Sequence, residues 1–569
     1  MKDRKHTALA MALPAALLIG CGGSSEPALP QLAAATPGTL KSCSELAAQI
    51  SFPNTTITAA TPIAAGTLTV AGAPVRAHCQ VTGEMYARTS AVDGQRYAIG
   101  FEMRLPNDWN GRFFYQANGG IDGNVLPAVG SVSAGAGLDN ALNMGFAVIS
   151  SDAGHTASVG PYFGIDPQAR LDYGYQAVAK LTPMAKSAIQ TAYGKAPDRS
   201  YFGGCSNGGR HTMVAAARYA DQYDGFLVGN PGFNLPKAAI ASIAGGQIYA
   251  SLASTAGDLS TGFTLAERQL VSSAVLAKCD ALDGAADGLI QDTAACQAAF
   301  SLDRDVPTCS GERDGTCLSA AQKTGIAKIF SGPTTSSGSK IYASFPYDAG
   351  LAGGGSNAYG YGFWEFTAPL VMDSGGVGLI WSAPPEDPAT FNGPVFALTG
   401  NVDTMLAKVN ATTALYTESG MQLMTPPDPS NLSTLKGRGA KMMVFHGTSD
   451  PIFSSDDTTA WYDALRKANG GDAANFARFY RVPGMNHCSG GPATDQFDML
   501  TPLVNWVEKG QAPDTVTASV RGTGNAAGVN ADLPATWSAT RSRPLCPYPQ
   551  VARYNGTGSL ESASSFSCK

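Results

Sequence analysis

A serine in the pattern G-x-S-x-G is the first residue of this sequence that could do chemistry. Ser206 lies in the middle of Gly204-Cys205-Ser206-Asn207-Gly208, after a strand-like run and before a helical run over Met213–Tyr219. Small flanking residues allow the tight strand-to-helix turn that exposes a nucleophilic hydroxyl. The pattern also arises by chance in a chain with 66 glycines, so an ordinary turn serine is the alternative.

A serine nucleophile needs a general base, and the base needs an orienting acid. Three histidines follow Ser206. His211 is too close in the chain to reach back, and His446 ends a strand just before Asp450. In the α/β-hydrolase chain order the acid precedes the base, and His487 is the only histidine after Asp450. The sequence therefore predicts a triad of Ser206, Asp450 and His487; a turn aspartate and a surface histidine are the alternatives.

The elements that must position these residues alternate between strands and helices. Such alternation predicts an α/β sheet. The strand-like runs are Tyr97–Leu105, Phe113–Gln116, Phe146–Ser150, Lys441–His446 and Phe476–Val482, and the helical runs are Gln176–Tyr193, Trp461–Ala468 and Phe497–Glu508. Residues 232–430 differ, with four cysteines, an Asp-Gly-rich loop and a glycine- and aromatic-rich run. We expect one α/β domain, residues 43–231 and 431–569, interrupted by a lid over residues 232–430.

Composition excludes several classes of protein. The chain has 569 residues, of which 44% are hydrophobic and 14% charged, and its net charge is −6. This profile excludes a coiled coil and a charged disordered protein. The absence of a basic block argues against nucleic acid as a partner, because phosphate binding needs clustered Lys and Arg. We expect a monomer that binds a small substrate.

The N-terminal segment accounts for the odd number of cysteines in this chain, which has eleven. A basic start and a short apolar run lead to Leu18-Ile19-Gly20-Cys21, which is similar to a bacterial lipobox. Residues 1–20 then form a lipoprotein signal peptide, Cys21 carries the lipid, and residues 21–42 are a flexible tether. The alternative is an ordinary secretory signal. The expected location is the outer membrane, facing the periplasm or the cell surface, with the lipid as the only membrane contact. Ten of the eleven cysteines remain for disulfides, which export permits.

Two of these cysteines flank the predicted chemistry. Cys205 precedes the serine and Cys488 follows the histidine. If the triad forms, the two cysteines come close together, and a disulfide between them would join the nucleophile turn to the base loop. Two buried free thiols are the alternative.

The same residues resemble the tannase and feruloyl esterase family. Cys205-Ser206, Asp450 and His487-Cys488 carry the resemblance, which covers nearly the whole mature chain. Supporting segments are residues 108–114, 164–172, 482–492 and 543–549. The resemblance is closest to the branch that hydrolyses mono(2-hydroxyethyl) terephthalate. It implies an α/β-hydrolase fold with a large inserted lid, and a serine carboxylesterase.

The resemblance also implies bonds and ligands that spacing alone leaves open. The implied disulfides are Cys43–Cys79, Cys205–Cys488, Cys279–Cys296, Cys309–Cys317 and Cys546–Cys568. The implied oxyanion hole uses the backbone N–H groups of Gly120 and Asn207. The implied cofactor is a structural Ca²⁺ in the lid, held by Asp280, Asp283, Asp287 and the carbonyls of Ala285 and Leu289. From the residues alone, a solvated Asp-Gly turn explains the acidic segment equally well.

Substrate choice is the point at which the sequence departs from the terephthalate branch. Enzymes of that branch hold the free carboxylate of the substrate with a lid arginine, whereas no Lys or Arg occurs here between Lys340 and Lys408. The positions that match the acyl pocket suit an aromatic group, although each could simply be core: Leu235, Phe363, Trp364, Ile452 and Phe453.

We therefore expect a secreted esterase that cleaves esters of phenolic or neutral aromatic acids through an acyl-enzyme. Hydrolysis of the terephthalate monoester is the alternative within the same chemistry. The alternative from another class is a surface-tethered binding lipoprotein without activity.

Overall fold

A computed structural model describes residues 29–132, 140–354 and 360–569. The predicted signal peptide, Cys21 and the first part of the tether lie outside the described residues. The prediction of a flexible tether is wrong for its last residues, because Gly38–Thr39 pairs with Asp108–Trp109 and Thr36 donates to Asp198. Among the described residues, no helix combines the length and the apolar composition needed to cross a membrane.

Nine strands form the central sheet. In chain order they are β1 (Thr55–Ile63), β2 (His78–Thr89), β3 (Arg96–Pro106), β4 (Arg112–Gln116), β5 (Ala147–Ser151), β6 (Arg199–Cys205), β7 (Gly225–Gly229), β8 (Lys441–Gly447) and β9 (Ala477–Val482). Their order across the sheet is β9-β8-β7-β6-β4-β5-β3-β2-β1. The strands from β9 to β5 are parallel, and β3, β2 and β1 add an antiparallel edge.

Helices cover the sheet and bury its parallel strands on both faces. The main ones are α1 (Ala177–Tyr193), α2 (Asn207–Arg218), α3 (Leu235–Leu252), α4 (Ser455–Ala468) and α5 (Leu500–Lys509). Every residue of β8 is buried, as a continuous apolar run in a parallel strand predicts. Shorter helices lie at Leu46–Gln49 and Pro167–Leu171. The predicted α/β fold class is confirmed, and the predicted strand runs fall within one or two residues of β3, β4, β5, β8 and β9.

The chain between β7 and β8 builds the lid. Its described residues add no strand to the central sheet. Besides α3, its helices are Leu265–Cys279, Thr293–Ala299, Leu302–Asp305, Ala320–Phe330, Tyr361–Phe366, Gly393–Thr399, Val402–Asn410, Gly420–Met424 and Ser433–Gly437. Part of the lid has its own core, which includes Val271, Val275 and Ile326. Helix α3 joins the two units, because Ile240 packs in the main core and Tyr249 in the lid core.

Small sheets and disulfides fasten the remaining segments. The short strands are Gly38–Thr39 with Asp108–Trp109, Thr69–Val70 with Ala73–Pro74, Gln496–Phe497 with Val516–Ser519 and Ser542–Leu545, and Ala552–Tyr554 with Phe566–Cys568. The structure contains five disulfides, with the pairing that the resemblance implies: Cys43–Cys79, Cys205–Cys488, Cys279–Cys296, Cys309–Cys317 and Cys546–Cys568.

Candidate active site

Ser206 occupies the sharp turn between β6 and α2. Its φ is 67° and its ψ −129°, a backbone conformation that L-residues rarely adopt. The glycines on either side make the turn possible: a Cβ on Gly204 would lie 2.5 Å from the carbonyl oxygen of Ala117, and one on Gly208 would lie 2.4 Å from it. The motif therefore has the strained geometry of a nucleophile elbow.

His487 links the serine to the acid. The Nε2 atom of His487 lies 2.7 Å from the Oγ atom of Ser206, and its Nδ1 atom lies 2.8 Å from Oδ2 of Asp450. This order lets the neutral imidazole accept the serine proton while its other nitrogen donates to the carboxylate. The structure thus brings together the three side chains that the sequence selects, with Asp450 at the end of β8 and His487 in the loop after β9.

Besides the two histidines near it, His487 and His446, three donors fix the Asp450 carboxylate. Its Oδ1 atom accepts hydrogen bonds from the backbone N–H groups of Ile452 and Phe453, both at 3.0 Å. Its Oδ2 atom accepts a bond of 2.7 Å from the side-chain amide of Asn230. Sequence reasoning missed Asn230. The available signal was its place directly after β7, at the same sheet edge as Asp450.

The pKa of Asp450 is held well below its ordinary value. Burial by itself would raise this pKa, but the nearby His487 and the hydrogen bonds from His446 and His487 lower it more. His446, which the sequence left aside, is fully buried beside the acid and is bonded to Thr458 and to the carbonyl of Phe453. The acid therefore stays ionised, as an orienting carboxylate must.

A lid carboxylate holds both catalytic loops. Asp348 is fully buried and accepts hydrogen bonds from the hydroxyls of Thr448 and Ser449 and from the backbone N–H of Gly484. Thr448 and Ser449 precede the catalytic acid, and Gly484 precedes the catalytic base. No local pattern in the sequence marks Asp348, because its partners in the two catalytic loops lie 100 to 136 positions away in the chain.

Two backbone N–H groups near Ser206 are candidates for an oxyanion hole. Asn207 is the first residue of α2, where N–H groups have no partner within the helix. Gly120 has a φ of 63° and lines the same cavity as Ser206. Within the described part of the chain, neither N–H group has an acceptor. The two expected donors are thus available at the serine, on different elements of the fold.

A cavity of about 700 Å³ opens onto the serine and the base. The described residues that line it are Leu68, Thr69, Val70, Gln116, Ala117, Asn118, Gly119, Gly120, Leu126, Pro127, Val129, Ser131, Val132, Cys205, Ser206, Trp364, Met372, His487 and Cys488. None of these residues is charged unless the histidine is protonated. The wall of the cavity is mainly apolar.

The five residues expected at the acyl pocket take different places. Trp364 lines the cavity, and its ring meets the His487 ring edge to face at 4.8 Å between centroids. The ring of Phe453 also packs edge to face with the His487 ring, with 5.2 Å between the centroids. Phe363 packs against Trp364, and Leu235 is buried at the start of α3. Ile452 lines a second cavity of about 560 Å³, which shares Trp364 with the first.

The acidic segment of the lid contains a buried carboxylate oxygen without a partner, Oδ2 of Asp283. Burial and the charges of Asp287 and Asp280 raise the pKa of Asp283 to about 7, and burial also raises that of Asp280. Asp287 forms a buried ion pair with Arg543. Within residues 29–132, 140–354 and 360–569, no three acidic, His or Cys side chains converge as metal ligands.

Comparisons with known proteins agree with this site. The sequence profile described as tannase and feruloyl esterase matches residues 79–569. Over 535 residues the chain is 39% identical to mono(2-hydroxyethyl) terephthalate hydrolase of Piscinibacter sakaiensis, covering 88% of this chain and 86% of that protein. Over 555 residues it is 26% identical to probable feruloyl esterase B of Emericella nidulans, covering 92% and 94%.

A solved structure is similar over the same extent. The crystal structure of feruloyl esterase B from Aspergillus oryzae aligns with a TM-score of 0.72 at 24% identity, covering 93% of this chain and 99% of that one. This likeness confirms the predicted α/β-hydrolase fold. The relatives are esterases and hydrolases, so the chain is a carboxylic ester hydrolase. It belongs to the tannase and feruloyl esterase family.

Proposed function

We propose that this esterase cleaves esters of phenolic or uncharged aromatic acids through a covalent acyl-enzyme. The observation that carries the proposal is the cavity at Ser206, whose wall is mainly apolar and includes the indole of Trp364. A cavity of this size and polarity suits an aromatic acyl group, with polar contacts only at the ester.

The reaction follows from the order of the triad. The Oγ atom of Ser206 attacks the ester carbonyl as His487 takes its proton, and Asp450 keeps the resulting imidazolium oriented. The N–H groups of Gly120 and Asn207 stabilise the negative oxygen of the tetrahedral intermediate. His487 then protonates the leaving alcohol, and later activates the water that releases the acid.

The preference for uncharged rings rests on electrostatics. A substrate with a free carboxylate at the far end of its ring would bury that charge in a cavity lined by no Lys or Arg. The undescribed internal residues 133–139 and 355–359 contain no Lys or Arg either. Desolvating a carboxylate without a partner is unfavourable, so the monoester of terephthalate should bind and react more weakly.

A second candidate substrate is the terephthalate monoester itself. It is favoured by the 39% identity to mono(2-hydroxyethyl) terephthalate hydrolase across most of both chains. The two candidates share every catalytic residue and differ only in what the acyl cavity must hold.

The deciding experiment compares substrates that differ by one carboxylate. The kcat/KM of the purified protein is measured for methyl benzoate and for monomethyl terephthalate, with methyl ferulate, methyl gallate and mono(2-hydroxyethyl) terephthalate alongside. We expect the uncharged or phenolic esters to be faster by about tenfold or more, equal to about 1.4 kcal/mol in the barrier. Faster cleavage of both terephthalate monoesters than of every other ester would overturn the proposal.

We also propose that the lid binds a structural Ca²⁺. Asp280, Asp283 and Asp287 would supply carboxylates, and Ala285 and Leu289 would supply carbonyls. The unpartnered Oδ2 of Asp283 and the raised pKa values of Asp280 and Asp283 support a cation there. The ion pair between Asp287 and Arg543 means that this carboxylate must turn to join the set. A bound cation would neutralise the mutual repulsion of the acids.

Finally, we propose an exported lipoprotein, anchored to the outer membrane through Cys21 and active as a monomer. The residues Leu18-Ile19-Gly20-Cys21 and the five disulfides, which form in oxidising compartments, support export. In a bacterial host, a palmitate analogue should label the wild type and not the Cys21→Ala variant. Light scattering of the protein without its anchor should give the mass of one chain.

A further inference from the structure

Four side chains form a closed ring of hydrogen bonds beneath the oxyanion hole. Arg210 donates through Nε to Oδ1 of Asn207 at 2.6 Å, and its Nη2 atom lies against the His211 ring, 3.1 Å from Nδ1 and 2.9 Å from Nε2. Asn207 donates through Nδ2 to Oδ2 of Asp122 at 2.8 Å. Nε2 of His211 lies 2.9 Å from the same Asp122 oxygen. The contacts from Asn207 and from His211 therefore end on the same atom, Oδ2 of Asp122.

The ring is buried, and its donors and acceptors match. The side chains of Asp122 and His211 are 2% and 5% exposed, and Arg210 is fully buried. Burial and the adjacent Arg210 lower the pKa of His211, so its imidazole is neutral. A neutral ring can donate to Asp122 from Nε2, and Arg210 also donates to the backbone carbonyls of Gly174 and Tyr173. Buried networks that are fully satisfied hold their members rigidly.

The ring connects the two elements that carry the oxyanion donors. Asn207 begins α2, whereas Gly120 lies in the loop after β4. Asp122 follows Gly120 by two residues, and its φ of 58° fixes a tight turn whose N–H bonds back to Gly119. The bond from Asn207 to Asp122 therefore ties one donor residue to the loop of the other. A shift of this loop would move Gly120 relative to Ser206.

We propose that Asp122 is a positioning residue that sets the separation of the two oxyanion donors, with His211 and Arg210 holding its carboxylate in place. Asp122 is not among the residues that line the cavity at Ser206. It acts through Asn207 and through the backbone of Gly120. The proposal rests on the esterase chemistry of Ser206 and holds whichever acyl group the enzyme prefers.

Two variants of Asp122 distinguish the effect of its hydrogen bonds from the effect of its positive φ. Asp122→Gly removes the acceptor, and glycine adopts a φ of 58° without strain. Asp122→Asn retains an oxygen that can accept from both donors, and asparagine also tolerates this φ. With p-nitrophenyl acetate as substrate, we expect Asp122→Gly to lower kcat about 10- to 100-fold with little change in KM. The Asp122→Asn variant should stay within about threefold of the wild type.

A transition-state mimic tests the link to the oxyanion hole. Phenylboronic acid forms a tetrahedral anion on the serine, so Asp122→Gly should weaken its inhibition by about the factor lost in kcat. Asp224→Asn is the control, because Asp224 is a buried carboxylate that accepts from Ser200 away from the site. It should change neither kcat nor boronate inhibition.

If the wild-type enzyme is active, any one of three results would overturn the proposal. They are an unchanged kcat in Asp122→Gly, a boronate affinity that does not follow kcat, and equal loss in Asp122→Asn and Asp122→Gly. Circular dichroism of each variant, measured against Asp224→Asn, shows whether a loss comes from unfolding. An inactive wild type would instead contradict the esterase chemistry itself.

Discussion

Cys205 and Cys488 form a disulfide that joins the residue before the nucleophile to the residue after the base. The bond links positions 283 residues apart, so it fastens the turn after β6 directly to the loop after β9. His487 lies 2.7 Å from Ser206 beside this bond, and small movements of either loop would break that contact. The cross-link also restricts the unfolded chain, which contributes roughly 5 kcal/mol in the loop-entropy model.

Reduction of this disulfide should lower activity before the protein unfolds. We expect the double variant Cys205→Ser/Cys488→Ser to lose at least about tenfold in kcat, because the reacting atoms would no longer be held at contact distance. The matched control is Cys309→Ser/Cys317→Ser, which removes a lid disulfide between residues eight positions apart. Equal activity of the two double variants, with both folded by circular dichroism, would refute the positioning role.

Replacement of Ser206 by alanine should abolish turnover. Loss of a triad nucleophile lowers kcat by about 10⁴-fold or more, and leaves only the contribution of the oxyanion hole and binding. A fluorophosphonate probe should add its mass to Ser206 of the wild type and leave Ser206→Ala unlabelled. No labelling of the folded wild type would favour the binding lipoprotein without activity.

Replacement of Asp348 should weaken both the fold and the site. Asp348→Ala removes the carboxylate that accepts from the buried hydroxyls of Thr448 and Ser449 and from the N–H of Gly484. We expect urea unfolding to show a loss of about 2–4 kcal/mol, with kcat about tenfold lower because both catalytic loops loosen. Asp348→Asn keeps one acceptor oxygen, so its stability and its kcat should lie between those of the wild type and those of Asp348→Ala. A variant as stable and active as the wild type would exclude this bracing role.

Replacement of Asp373 should change stability in a pH-dependent way. Burial raises the pKa of Asp373 to about 7, and its only described partner is the Ser242 hydroxyl at 2.6 Å. The folded chain therefore keeps this proton while the unfolded chain loses it near pH 4, so stability falls as pH rises from about 4 to 7.

Asp373→Asn removes that charge, and its amide oxygen can still accept from Ser242. Because a pKa raised from near 4 to about 7 corresponds to about 4 kcal/mol, we expect the variant to raise the free energy of unfolding by up to about 4 kcal/mol at pH 8, and to have little effect near pH 4. The measurement is urea unfolding at both pH values. A gain of the same size at both would show that the effect is not a titration of Asp373.

Calcium should stabilise the lid. We expect added Ca²⁺ to raise the midpoint of thermal unfolding of chelator-treated protein by a few degrees, because a ligand that binds only the folded chain contributes about 2.7 kcal/mol at 100 times its Kd. Asp283→Asn should lose this response. Asp303→Asn, an exposed acid of the lid, should keep it. The same midpoint with chelator and with Ca²⁺ would rule the site out.

The sequence by itself determined the catalytic chemistry and the class of fold. The nucleophile turn is local, since Gly204 and Gly208 mark it within five residues. Strand patterns placed β3, β4, β5, β8 and β9 within one residue at each end, whereas α4 begins six residues before and α5 three residues after the predicted start. Chain order then left His487 as the only histidine after Asp450. These inferences hold because each depends on neighbouring residues or on topology alone.

Only the tertiary structure decided which residues support that chemistry. Asn230, Asp348 and Asp122 act on partners that lie about 85 to 220 positions away in the chain, and no spacing rule predicts such contacts. Trp364 and Leu235 look alike as apolar candidates in the sequence, and both pack in the main core, yet of the two only Trp364 also lines the cavity at Ser206. The physical reason is that burial and hydrogen bonding depend on which distant segments pack together, and this becomes defined only when the sheet and the lid are assembled.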